Sequence, residues 1–162
     1  MKKFELTTES IDVNGVKLYR IKSLINFGAV KAGKLGGYVE KEENLSQVDT
    51  AWVFGNAWVS GNARVYDDAR VYDDARVYGN AWVYDDAQVS GDADYICLKG
   101  FGSRNRSTTM FRTKNGDIAV SCGCFGGTLE EFENKVKETH GDNKFAREYL
   151  ALVDAAKIHF EV

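Results

Sequence analysis

Proline is absent from this 162-residue sequence, and histidine and cysteine are scarce, with two and three residues. An odd number of cysteines does not fit a framework of paired disulfides and favours a reducing compartment. No apolar run reaches the length of a membrane span, and the first residues, MKKFELTTES, lack a hydrophobic signal core. We therefore expect a soluble cytoplasmic protein that does not bind a membrane.

Residues 51–92 consist of seven consecutive six-residue units: AWVFGN, AWVSGN, ARVYDD, ARVYDD, ARVYGN, AWVYDD and AQVSGD. Every unit starts with alanine, has valine in third position and ends in two residues drawn from Gly, Asn and Asp. In extended backbone the first and third side chains face one way, and the second and fourth face the other. Because Gly, Asn and Asp tolerate tight corners, each unit is predicted to form one short strand and one corner.

Three such sides close a triangle, so three units are predicted to form one coil on which the next coil stacks. The segment V-Y-D-D-A-R, an aliphatic residue followed four positions later by a small one, resembles the motif of hexapeptide-repeat proteins. That resemblance implies a left-handed parallel β-helix of about three coils over residues 45–94. The preceding stretch LGGYVEKEENLSQ looks like hexapeptide-repeat proteins carried by bacteriophages and prophages, which implies a bacterial or phage setting and no activity.

Folding the repeat at this period stacks a tryptophan against an arginine on every side, a pair worth about 0.5–1 kcal/mol when exposed. Outward aromatic residues are more numerous than solubility favours, and aromatic residues and arginine are enriched at buried contacts. We therefore predict an interface, with an exposed stabilising ladder as the alternative. Its residues are Trp52, Phe54, Trp58, Tyr66, Tyr72, Tyr78, Trp82 and Tyr84. Since relatives pack such sides around a threefold axis, the resemblance implies a homotrimer.

The corners make the repeat acidic, since residues 45–94 contain three basic and nine acidic side chains. Nucleic-acid binding along the repeat is not expected, because phosphates would meet these carboxylates. Asp67 and Asp68 are expected beneath Asp85 and Asp86, with Asp49 near the same ridge. Aspartate is common at corners for backbone reasons alone, so no metal site is predicted.

Residues 1–44 are predicted to form an N-terminal β cap over the first coil, which would otherwise expose a sheet edge. Asn14-Gly15 lies between two apolar segments and predicts a hairpin. Gly33, Gly36 and Gly37 match neither nucleotide-binding fingerprint. We interpret them as a turn that leads the chain to the first corner.

Residues 95–162 are predicted to form a C-terminal α+β domain. A last strand over 95–99 is followed by a hairpin around Asn115-Gly116 and by two amphipathic helices. Thr128 and Glu131 form a capping box for the first helix, and the second begins after Gly141. The fold class is therefore mainly β, a short solenoid with an N-terminal β cap and a C-terminal α+β cap.

Residues 95–116 contain five basic and no acidic side chains. A glycine-flanked loop that offers amides, hydroxyls and guanidiniums is the chemistry that holds phosphate or carboxylate. We predict an anion-binding site here, with simple ion pairing to acidic residues as an equal alternative. The predicted residues are Ser103, Arg104, Arg106, Thr108, Thr109 and Arg112.

Cys122 and Cys124 lie near a strand end, but the chain lacks the further ligands that a zinc site requires. We interpret the cysteines as buried and inert, with a nucleophilic cysteine beside His140 as the alternative. Both histidines are interpreted as structural. No catalytic residue, metal or cofactor is therefore predicted.

The best-known enzymes with this repeat are acyltransferases that act on coenzyme A thioesters and use a histidine near the coils. The repeat here contains neither a histidine nor an insertion. We therefore expect a non-enzymatic, homo-oligomeric binding protein of phage or bacterial type. Its expected role is to inhibit a host defence by binding a host protein or a small anionic, nucleotide-like ligand. An acyl-CoA-dependent acyltransferase and a structural assembly protein are the alternatives.

Overall fold

The computed structural model describes all 162 residues. They divide into two compact units, Met1–Asp92 and Ala93–Val162. The predicted segment 1–44 and residues 45–92 of the next predicted segment thus lie in one unit, and Ala93 and Asp94 belong to the other. None of the helices has the length and apolar character that crossing a membrane requires.

The first unit opens with three long strands, β1 (Phe4–Val13), β2 (Val16–Ser23) and β3 (Leu35–Val39). β1 and β2 form the predicted antiparallel hairpin, and β3 continues the sheet antiparallel to β2. Asn14 and Gly15 both have positive φ angles, 53° and 84°. That conformation suits a two-residue turn between twisted strands and is open mainly to Asn and Gly.

Seven two-residue strands follow, one in each sequence unit, at its second and third positions. They are β4 (Trp52–Val53), β5 (Trp58–Val59), β6 (Arg64–Val65), β7 (Arg70–Val71), β8 (Arg76–Val77), β9 (Trp82–Val83) and β10 (Gln88–Val89). The first-position alanines and third-position valines are all fully buried. The strands are short because a corner interrupts the chain after every side.

These strands stack in parallel along three sides. The first side holds β4, β7 and β10, the second holds β5 and β8, and the third holds β6 and β9. The register pairs Trp52 with Arg70, Trp58 with Arg76, and Arg64 with Trp82. The predicted period of three units, which places a tryptophan beside an arginine in the strand register, is confirmed.

Parallel stacking starts before the repeated sequence does. β3 pairs in parallel with β5, and Leu45 forms a parallel bridge to Val65. Gly36 and Gly37 lie within β3, and a Cβ at Gly36 would lie 2.6 Å from the Val53 carbonyl oxygen. A Cβ at Gly37 would overlap the carbonyl oxygen of Ala57. The predicted turn at these two glycines is wrong, since they let the strand approach the next coil.

Aspartates at one corner form the predicted column. Asp49 Oδ2 accepts a hydrogen bond from the Asp67 amide at 2.7 Å, and Asp67 Oδ2 accepts one from the Asp85 amide at 3.5 Å. Burial, and then the neighbouring carboxylates, raise the pKa of Asp85. Each carboxylate thus caps the corner of the next coil. No group of three or more His, Cys, Asp or Glu side chains is arranged to hold a metal ion.

The second unit is an antiparallel sheet with two helices. Its strands, in spatial order, are β11 (Tyr95–Phe101), β12 (Arg106–Arg112), β13 (Ile118–Cys122) and β14 (Phe125–Thr128). The helices are α1 (Leu129–His140) and α2 (Lys144–Phe160), and the capping box at Thr128 and Glu131 is present as predicted. Phe132 and Val136 of α1 and Val153 of α2 are buried in one core with the sheet residues Met110 and Val120.

Candidate anion-binding cleft

A cavity of about 390 Å³ opens in the second unit, between the β11–β12 loop, the β13–β14 turn and the two helices. Ser103, Arg104 and Arg106, half of the residues predicted for an anion site, line this cavity. Its remaining walls are contributed by Cys122, Cys124, Phe125, Phe132, Lys135, Val136, Thr139, His140 and Tyr149. The cavity therefore combines cationic and hydroxyl groups with an apolar, aromatic wall, as ligand sites commonly do.

The loop that carries Ser103 and Arg104 is fixed to α2. The Gly102 amide donates a hydrogen bond of 2.8 Å to Glu148 Oε2. Gly102 has a φ of 73°, and a Cβ there would overlap the Tyr149 ring and its hydroxyl. Only glycine fits this position, because it combines a left-handed backbone with direct contact to Tyr149. The loop is thus positioned before any ligand arrives.

Arg106 lies over the turn between β13 and β14. Its guanidinium occupies the space that a Cβ at Gly123 would fill, and Gly123 has a φ of 63°. Arg106 is half-buried, whereas Arg104 is exposed. Glycine at 123 therefore permits both the tight turn and the approach of the guanidinium to the backbone.

Neither Arg104 nor Arg106 has a carboxylate partner within this unit. The ion pairs of this unit include Arg112 with Asp94, Lys135 with Glu138, Lys137 and Lys157 with Glu133, and Lys144 with Glu148. The two guanidiniums that line the cavity are thus left with their donors available. Arginine donors in this state bind carboxylate or phosphate in a bidentate manner.

Tyr149 supplies a neutral hydroxyl at the floor of the cavity. Burial first, and then the adjacent Cys122, raise the pKa of Tyr149 to about 12. The Cys122 thiol lies 3.8 Å from the Tyr149 oxygen and accepts a hydrogen bond from Thr108 Oγ1 at 3.2 Å. The phenol therefore keeps its proton at neutral pH and adds no negative charge beside the arginines.

Three of the six residues predicted for the anion site do not line the cavity. Thr108 and Thr109 are buried, and their hydroxyls donate to the sulfurs of Cys122 and Cys97. Arg112 pairs with Asp94 at 3.4 Å and donates to the Phe160 carbonyl oxygen at 2.9 Å. For Arg112 the alternative of simple ion pairing holds. The physical reason is that β12 runs from the cavity into the core. Its later side chains therefore make contacts within the fold and do not face the cavity.

The sequence interpretation missed the helix side chains of the cavity. Lys135, Thr139 and His140 lie on the last turns of α1, and Tyr149 lies on α2. His140 and Cys122, both interpreted as structural or inert, line the cavity as well. The four-residue spacing from Lys135 to Thr139 was the available signal, but it does not say which loop the helix faces.

The side chains predicted for the interface differ in how far they are buried. Trp52 is fully buried, its ring packed edge-on against Phe27 at 5.3 Å and Phe4 at 6.2 Å. Its prediction as an accessible interface residue is wrong, because the N-terminal segment covers this part of the first side. Tyr78 and Trp82 are exposed, at 56% and 42%. The half-buried residues are Phe54, Trp58, Tyr66, Tyr72 and Tyr84.

Comparison with known proteins bears on the repeat alone. The YdcK β-solenoid repeat family matches residues 57–71 and 69–85. Both matches lie inside the parallel-stacked units described above. The repeat of this chain is similar to a β-solenoid repeat. The comparison with curated proteins gave no match. The interpretation of the cavity in the second unit therefore depends on the geometry of that cavity alone.

Proposed function

We propose that this β-solenoid protein is a non-enzymatic binding protein that holds a small anionic ligand in the cavity of its second unit. The observation that supports it is the pair of guanidiniums of Arg104 and Arg106, which line a cavity of about 390 Å³ without a carboxylate partner in that unit. Cationic side chains left without partners at a concave site favour an anion.

The remaining walls suit a ligand of nucleotide type. Ser103 and Thr139 offer hydroxyls, and Lys135, which pairs with Glu138, also lines the cavity. Phe125 is half-buried, and its ring packs on Phe132 at 5.2 Å, which gives the cavity a rigid apolar wall. A phosphate at the guanidiniums and a planar group at this wall would satisfy both parts of the site.

The left-handed twist and the hexapeptide type of the repeat are part of this proposal. The six-residue units and their stacking at a period of three units favour a left-handed hexapeptide-repeat helix, with the hand taken from the resemblance. In a phage or bacterial cytoplasm, such a protein would inhibit a host defence by sequestering its anionic signal molecule or by binding a host protein.

The repeat contains no histidine that could act as a general base, which argues against acyl transfer.

We place self-association on the second side of the solenoid. Tyr78 is 56% exposed there, and its ring contacts Trp58 of the preceding coil at 6.1 Å. Exposed aromatic pairs of this kind are typical of contacts that become buried in an assembly. A homotrimer is the assembly that the hexapeptide resemblance implies.

Native mass spectrometry of protein purified from bacterial cells, with and without added nucleotides and coenzyme A, tests these proposals together. We expect a trimer with a nucleotide-sized adduct that is lost in the Arg104→Ala/Arg106→Ala protein. Lys99→Ala is the matched control, since Lys99 is an exposed basic residue of the same unit that does not line the cavity. An adduct retained without both arginines would refute the anion site. A coenzyme A adduct would favour the acyltransferase, and a monomer would refute the second-side interface.

A further inference from the structure

The third side of the solenoid carries a larger cavity, of about 590 Å³, which the proposed function does not use. It exists because the first coil does not form a regular strand on this side. A 3-10 helix, Glu42–Asn44, takes that place and precedes the bridge between Leu45 and Val65. The helix forms a ledge, and the outer faces of β6 and β9 form the wall above it.

The ledge is held rigidly by one buried side chain. Asn44 Oδ1 accepts a hydrogen bond from the Lys41 amide at 2.9 Å. Its Nδ2 donates to the carbonyl oxygens of Gly61 at 3.2 Å and Ala63 at 2.8 Å. Asn44 is fully buried and thus ties the ledge to the coil above. Glu42 and Glu43 are presented to the cavity from a fixed backbone.

The wall is aromatic. Trp82 is 42% exposed, and its ring meets Tyr66 edge-on at 6.3 Å. Tyr66 in turn stacks on Tyr84 at 5.0 Å, with an angle of 10° between the rings. The indole is therefore supported from the side while part of its surface stays in contact with solvent. Such a surface is available to stack on the apolar face of a ligand.

The charges in this cavity are balanced. Glu42 is paired with Lys2 at 2.7 Å. The remaining charged groups are Glu43 of the ledge and Arg64, which lies beside Trp82 in the strand register. Both side chains are exposed, and neither side chain forms an ion pair or a hydrogen bond within this unit. A phosphate would be repelled by Glu43 and an ammonium group by Arg64, so a neutral polar ligand suits the site best.

We propose that this groove, formed by Glu42, Glu43, Ser46, Arg64, Tyr66 and Trp82, binds a neutral saccharide. A carboxylate and a guanidinium each offer two hydrogen-bonding atoms in one plane, which matches the paired hydroxyls of a sugar ring. The Trp82 indole would pack against the carbon face of the same ring. The volume accommodates more than one sugar unit, in the range of drug-sized ligand sites.

Isothermal titration with neutral trisaccharides of glucose, galactose and N-acetylglucosamine tests this inference, with tryptophan fluorescence as a second readout. We expect at least one of the three to bind, and Trp82→Ala to weaken its binding by about tenfold or more, the loss of one stacking contact. Arg64→Ala should weaken binding as well. Leu24→Ala, which removes an apolar side chain of similar exposure (40%) that does not line the cavity, should bind as the unaltered protein does.

The two proposals fail separately. The Arg104→Ala/Arg106→Ala protein should bind the trisaccharide unchanged, because both arginines belong to the other unit. Binding of none of the three trisaccharides, or equal losses in Trp82→Ala and Leu24→Ala, would overturn the saccharide site. A groove that takes peptides or charged ligands in preference to the neutral sugars would overturn it too. Unchanged urea unfolding of Trp82→Ala would show that a loss of binding is not a loss of fold.

Discussion

Replacing Gly37 by alanine tests the approach of β3 to the solenoid. The added Cβ would overlap the Ala57 carbonyl oxygen and lie 2.6 Å from Val53 Cγ1. Relieving that overlap moves β3 away from β5 and weakens two hydrogen bonds, from the Tyr38 amide to Ala57 and from the Glu40 amide to Val59, both 3.0 Å long. Overpacking costs about 1–3 kcal/mol and each lost hydrogen bond about 1 kcal/mol. We expect a loss of about 3–5 kcal/mol in the free energy of unfolding.

Urea unfolding followed by tryptophan fluorescence is the suitable assay. All three tryptophans, Trp52, Trp58 and Trp82, belong to the first unit, so the signal reports that unit alone. Gly91→Ala is the matched control, because no atom lies within 4 Å of its added Cβ and its backbone is not left-handed. A Gly37→Ala protein within about 0.5 kcal/mol of the unaltered protein would refute the close approach of β3.

Three further predictions concern other buried side chains. Asn44→Ala leaves three backbone groups without partners and should cost about 2–4 kcal/mol in urea unfolding; Asn62→Ala, at an exposed corner, should cost little. Trp52→Ala should cost about 3–5 kcal/mol, whereas Val48→Ala, at a side chain that is 93% exposed, should change stability by less than about 0.5 kcal/mol. Equal effects would contradict the burial described here. The pKa of Tyr149 is about 12 in the folded state, against 10 for an ordinary tyrosine. The stability that this raised pKa confers is therefore present below pH 10 and is lost as the pH rises towards 12. Helical circular dichroism in urea at several alkaline pH values should show a weaker pH dependence for Tyr149→Phe, and an unchanged dependence would contradict this.

The solenoid was predictable because its sequence repeats. An alanine and a valine at fixed positions in every unit define the inner face, and the Gly, Asn and Asp pairs define the corners. The resulting strand register, with Trp58 beside Arg76, follows from the period alone. Local signals of the same kind, Asn14-Gly15 and the Thr128 capping box, located a hairpin and a helix start.

Features that depend on contacts between distant segments were not predictable. Trp52 occupies an outward position in its unit, and nothing in the repeat indicates that Phe4 and Phe27 cover it. Gly36 and Gly37 look like turn residues until β5 is placed beside them. A glycine pair in sequence does not distinguish a bend from a close approach.

The candidate cleft was also predictable from the sequence only in part. The basic loop of residues 99–114 was found from its one-sided charge, and Arg104 and Arg106 line the cavity. Arg112 has the same charge but pairs with Asp94 instead. Charge alone does not separate a ligand-binding arginine from a structural one. Lys135 and His140 reach the site only through the packing of α1 on the sheet.

Amide chemical shifts measured while pyrophosphate, and then adenosine monophosphate, are titrated into the isotopically labelled protein test the proposed anion site most directly. The account predicts changes concentrated at Ser103 to Arg106, Cys122 to Phe125 and Lys135 to His140, the three segments that line the cavity. The changes should disappear in the Arg104→Ala/Arg106→Ala protein and persist in Lys99→Ala. An absence of changes with both anions, or changes confined to the solenoid units, would contradict it.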